Sequence, residues 1–108
     1  MRISEIIKQP EGRRLEFKET LPSSSELAKT IVAFANDAGG EIILGVKNEP
    51  REAVGLPGEE LVQMEELISS IIYDRCYPVI IPEIIFNTEN DLHFIRIIIY
   101  REVKRHIL

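Results

Sequence analysis

"FANDAGGEIILGV", residues 34–46, joins the end of an apolar helical pattern to a β-branched run through two adjacent glycines. Upstream, Leu27, Ala28, Ile31, Val32, Phe34 and Ala35 recur at helical spacing and define one buried face, with Lys29, Thr30 and Ala33 elsewhere. Pro22 and the serines 23–25 mark the preceding loop, and Ser23 and Glu26 stand at capping-box spacing. Downstream, "EIILGV" is too short for a helix and reads as a strand buried on both faces. Phosphate loops place their glycines before a helix, where free amides and the positive end of the dipole face the anion. Here the glycines follow a helix, whose C-terminal end repels anions. Gly39 therefore reads as a left-handed cap and Gly40 as the residue that lets the strand start tightly against the helix. Asn36 and Asp37 are expected to bond the turn backbone rather than a ligand.

The flanking segments supply the remaining elements. "ISEIIK" (3–8) suits a short helix, and "RRLEFKET" (13–20) a short strand with Leu15 and Phe17 on one face and Glu16 and Lys18 on the other. Residues 47–58 carry two prolines and two glycines and read as a loop able to hold a small hairpin or turn. Over 59–73, Leu61, Met64, Leu67, Ile68, Ile71 and Ile72 line one helical face, with Glu59 and Glu60 in the first turn. Pro78 and Pro82 force extended chain. "EIIFN", a polar turn at "TEND" and "LHFIRIIIY" then read as a hairpin. In its second strand Ile95, Ile97 and Ile99 face one way, and Phe94, Arg96, Ile98 and Tyr100 the other. The order β-α-β-α-β-β predicts an α+β fold, a mixed β-sheet with two helices packed on one face and solvent or a partner on the second.

Composition bounds the function. A chain of 108 residues with 44 % apolar content builds one core, so residues 1–108 are expected to form one domain. No apolar run approaches the ~20 residues needed to span a bilayer, and no secretory leader pattern opens the chain, so the expected setting is cytoplasmic, without membrane. Cys76 is the only cysteine, which leaves no internal disulfide or cysteine-rich metal site; it reads as a small core hydrophobe. His93 and His106 have no metal-ligand spacing and read as surface residues.

Net charge is −5, which argues against coating by nucleic acid through charge alone. The distribution is uneven, however. Residues 1–22 and 96–108 hold 9 of the 13 lysines and arginines but only 5 of the 18 acids. If the two ends of the sequence meet in space, Arg13, Arg14, Lys18, Arg96, Arg101, Lys104 and Arg105 form one basic patch; if they do not, this is ordinary surface charge.

"EGRRLEFKE" (11–19), "AFANDAGGEIILGV" (33–46), Val54-Gly55 and "YPVIIPEI" (77–84) together resemble the Schlafen-type AlbA-like domain, often called a DNA-binding domain. The resemblance covers roughly residues 3–107. Its most specific parts are Glu11, Glu16, Phe17 and Lys18, then Phe34, Ala35, Asn36, Gly39, Gly40, Ile42, Gly45 and Val46, about 17 residues further on. It implies an AlbA-like nucleic-acid-binding module of a bacterial or archaeal transcriptional regulator, with DNA rather than RNA as partner, no cofactor, and a homodimer as a further expectation. Such domains usually continue into another strand, so the chain is expected to be a fragment, with the second face of the 92–100 strand open for dimer pairing. Some eukaryotic relatives are nucleases in which three carboxylates hold a divalent metal. Two of those positions correspond to Glu11 and Glu16, while Lys47-Asn48 stands where the third acid is expected. The alternative this implies is a metal-dependent nuclease, with Glu49, Glu52 or Asp37 completing the site. A purely structural dimerisation domain is the third reading.

Overall fold

A computed structural model of the chain describes residues 2–101. In order along the chain stand α1 (Ile3–Ile6), β1 (Leu15–Lys18), α2 (Ser24–Asn36), β2 (Gly40–Leu44), β3 (Val46–Asn48), β4 (Arg51–Ala53), a 3-10 turn (Gly58–Glu60), α3 (Leu61–Arg75), β5 (Glu83–Glu89) and β6 (Leu92–Ile99). Four strands make one sheet in the order β1-β2-β6-β5, and β3 pairs with β4 in a separate two-stranded ribbon. β1 runs parallel to β2, and the other pairs are antiparallel, so the sheet is mixed as expected.

The turn at 34–46 is built by its two glycines. Gly39 adopts φ 84° and donates its amide to Phe34 O at 2.9 Å, the six-residue closure of a left-handed helix cap. A Cβ on Gly40 would lie 2.7 Å from the Phe34 ring, so the helix and strand approach each other as closely as they do only because that atom is absent. Asp37 departs from expectation. Its carboxylate takes a bidentate contact from Arg13, at 2.8 and 2.7 Å, and so ties the end of α2 to the start of β1. At the other end of α2, Ser23 Oγ accepts from the Glu26 amide at 3.2 Å, while the Glu26 side chain is drawn to Lys18.

Two hydrophobic clusters lie on opposite faces of the sheet. On one, α2 and α3 cover Ile42, Leu44, Ile95, Ile97 and Ile99; Leu27, Ile31, Phe34, Ile68 and Ile72 supply the helical side. Within α3, Leu67 was expected on the buried face and is 49 % exposed, because α2 meets only the stripe through Ile68, Ile71 and Ile72. On the other face, α1 through Ile3 and Ile6 and the β3–β4 ribbon through Val46 cover Phe17, Ile43 and Phe94. Phe94 is therefore buried, although it lies on the face of β6 expected to meet solvent or a partner. The β5–β6 turn is tighter than "TEND": β5 runs through Glu89, and Asn90 and Asp91, at φ 51° and 62°, make a two-residue type I′ connection.

α1 has four residues and is held from both ends by distant side chains. The Glu89 carboxylate accepts the amides of Ile3 and Ser4, and the Arg51 guanidinium donates to the carbonyls of Ile7 and Gln9 at 3.1 and 2.8 Å. Arg51 also lies 4.1 Å over the centre of the Phe17 ring. Among the described residues no helix is long and apolar enough to cross a membrane.

Candidate nucleic-acid interface

β1 and β2 begin, and β6 ends, at the same end of the sheet, since Leu15 pairs with Glu41 and Gly40 with Ile99. This places Arg13 and Arg14 at the same end of the sheet as Arg101. Arg14, on the turn before β1, and Arg101, just past β6, line one cavity of about 230 Å³ with Ala38, Gly40, Glu41 and Tyr100. Arg14 also borders a second cavity of about 340 Å³, whose wall includes Gln9, Leu15, Glu41 and Arg96.

The four arginines at this end differ in availability. Arg96, half-buried on β6, is held by Glu41 one strand away, with contacts at 2.5 and 3.2 Å. That hydrogen bond raises the guanidinium's pKa further, against the opposing effect of burial. Arg13 is held by Asp37. Arg14 and Arg101 make no ion pair with another described residue, and both are exposed. The local surplus of positive charge therefore comes from these two.

Lys18 lies at the opposite end of β1, paired with Leu44, and is not part of this cluster. Its ammonium sits 2.7 Å from Glu26 and 3.4 Å from Glu16, and the Glu26 hydrogen bond, with some opposition from burial, raises its pKa. Glu16, Lys18 and Glu26 thus form a surface ion-pair cluster at this end of β1. Lys104, Arg105 and His106 lie outside the described residues. His93 shares a hydrogen bond of 2.9 Å between its Nδ1 and Thr88 Oγ1.

Glu11 and Glu16, the two carboxylates matched to a metal site, are otherwise engaged. Glu11 Oε2 accepts the Phe17 amide at 2.8 Å, so it serves the edge of β1 as a further strand would. Glu16 faces the Lys18 ammonium, a fixed cation where a divalent ion would have to sit. Among the described residues no three His, Cys, Asp or Glu side chains gather in a way that could hold a metal ion. The described donors therefore do not fit the metal that the nuclease reading calls for.

Sequence reasoning gave Glu41 and Tyr100 no role and set Asp37 in the turn rather than against Arg13. Only the strand register reveals Glu41 as a partner of Arg96, because it lies diagonally across β2 from the arginine. Tyr100 had been placed on the outer face of the strand without a role; it is 60 % exposed and stands between the two cavity arginines and β5, where its hydroxyl donates to Glu83.

Known proteins share this fold. The chain is 38 % identical over 69 residues to an uncharacterised ATP-binding protein of Ureaplasma parvum, a match that spans 60 % of this chain and 19 % of that protein. Among solved structures it is similar to the N-terminal domain of a Nitrosomonas europaea protein named as related to the ATP-dependent DNA helicase RecG. That likeness has a TM-score of 0.64 and 24 % identity, over 91 % of this chain and 69 % of that one. The DIP2311 protein of Corynebacterium diphtheriae is similar in fold as well, at a TM-score of 0.58 and 14 % identity, over 93 % of this chain and 24 % of that one. The sequence model of the Schlafen, AlbA_2 family matches residues 11–107, over both stretches that carry the resemblance, and the chain belongs to that family.

Proposed function

We propose that this domain binds nucleic acid through the basic end of its sheet, as one module of a longer regulator- or helicase-related protein. One observation carries this reading: Arg14 and Arg101, far apart in sequence, converge on one cavity without a carboxylate partner among the described residues. Exposed, uncompensated guanidiniums are suited to phosphate, which they grip through paired donors. Arg13 and Arg96 stand beside them on ion pairs that a phosphate can loosen or share. The helicase-related name of the Nitrosomonas protein and the ATP-binding name of the Ureaplasma protein support a nucleic-acid setting, with DNA as the first polymer to try.

Fluorescence anisotropy with labelled oligonucleotides at several salt concentrations tests the proposal. The wild-type chain is expected to bind with an affinity that falls as salt rises. Arg14→Gln and Arg101→Gln should each reduce the log–log slope by about 0.7–0.9, the contribution of one phosphate contact. Lys18→Gln, which acts at the other end of β1, should leave the slope unchanged. Equal losses from all three substitutions would refute the assignment of the site.

A further inference from the structure

Among the described residues, the sheet face beside the arginines is only partly covered. α1 shields its Phe17, Ile43 and Phe94 end, but toward the end of β6 the alternating side chains Arg96, Ile98 and Tyr100 continue beyond it. Ile85 of β5 pairs with Arg96, and Glu83 with Ile98, so the same face carries Ile85 next to Ile98. Both isoleucines are half-buried, and Tyr100 is 60 % exposed. The hydroxyl of Tyr100 is anchored on Glu83, which limits the motions of the ring. Arg14 and Arg101 border the same cavity as Tyr100.

An exposed aromatic ring and an aliphatic floor, bordered by two cations with no ion pair among the described residues, match what an unpaired nucleotide offers: a flat apolar base joined to an anionic backbone. In a duplex the base faces are stacked within the helix and closed to such a ring. Accordingly, we infer that this face binds single-stranded nucleic acid, with a base stacked on Tyr100 beside Ile98 and the flanking phosphates held by Arg14 and Arg101. The inference rests on the proposed function and adds to it the form of the ligand and a residue that contacts a base. Tyr100 contributes through its π-face, so its effect should not depend on salt, unlike that of the arginines.

The test uses the 108-residue chain with fluorescein-labelled 15-mers of oligo-dT and oligo-U, and with a DNA duplex of equal length. Single strands should bind more tightly than the duplex at every salt concentration. Tyr100→Ala should weaken single-strand binding about tenfold with no change in salt slope, and Tyr100→Phe, which keeps the π-face but not its Glu83 anchor, should recover most of that loss. The two oligomer arms distinguish DNA from RNA as the source of the strand. Tyr100 is exposed at a strand end, so its removal should leave the circular dichroism spectrum and urea midpoint unchanged. Duplex binding as tight as single-strand binding, or an unaltered Tyr100→Ala, would overturn the inference while the phosphate site stands. Failure of the wild type to bind either form would overturn the proposed function and this inference with it.

Discussion

Gly39 and Gly40 look alike in sequence, but different physical constraints require each of them. At Gly39 the constraint is the backbone itself: φ is 84°, and a Cβ would come within 2.6 Å of the Ile99 carbonyl oxygen. At Gly40 the obstacle is a side chain, the Phe34 ring at 2.7 Å. Gly39→Ala is therefore expected to cost about 2 kcal/mol or more, with no single compensating change. Gly40→Ala should cost about 1–3 kcal/mol through overpacking, and Phe34→Leu, which costs stability when made alone, should cost markedly less in the Gly40→Ala background. Urea midpoints of the two single alanine variants, Phe34→Leu and the Gly40→Ala/Phe34→Leu pair check this; strict additivity in the pair would contradict the ring contact. The cap at Gly39 was legible in the sequence because a helical pattern stops there. The reach of Asp37 to Arg13 was not, since it joins residues 24 positions apart.

α1 shows how a short element is made stable by others. Four residues cannot sustain a helix alone, and this one is fixed by Glu89 at its start and Arg51 at its end. Burial works to raise the pKa of Glu89, but the Ile3 and Ser4 amides and the Arg2 charge outweigh it, so the carboxyl is held below its usual value. A folded-state pKa below the unfolded one stabilises the fold above the ordinary carboxylate range, and that contribution is lost as pH falls through the folded value. The stability advantage of the wild type over Glu89→Gln should thus be full at neutral pH, shrink through the acid carboxylate range and vanish below it. Urea titrations at a series of pH values check the sign: an advantage that grows on acidification would show that Glu89 does not anchor α1. The helical character of residues 3–8 was readable, whereas both anchors come from strands that only folding brings near.

Taken as a whole, the molecule divides β6 between two environments. Ile97 is fully buried under α2 and α3, while its neighbour Ile98 is half-buried on the open part of the opposite face. Ile97→Ala should cost about 3 kcal/mol and Ile98→Ala less than half of that, each in a single urea transition of unchanged slope. Equal costs would mean that the second face is covered as closely as the first. The same asymmetry leaves room beside Tyr100 for a ligand, and the common end of β1, β2 and β6 adds Arg14 and Arg101 to its border.

Periodicity and local turn chemistry, read from the sequence, determined the principal helices and sheet strands, the alternation of faces and the glycine turn between α2 and β2, because these depend on neighbours a few residues apart. The two motifs around Glu11–Lys18 and Phe34–Val46 determined the family. Tertiary structure alone decided which charges remain available. Arg13, Arg14, Arg96 and Arg101 are equivalent cations in the sequence, and only the folded chain sets Glu41 against Arg96 and Asp37 against Arg13, with no carboxylate among the described residues against the other two. An ion pair depends on separations of a few ångströms between residues dozens of positions apart, and that information exists only once the sheet has closed.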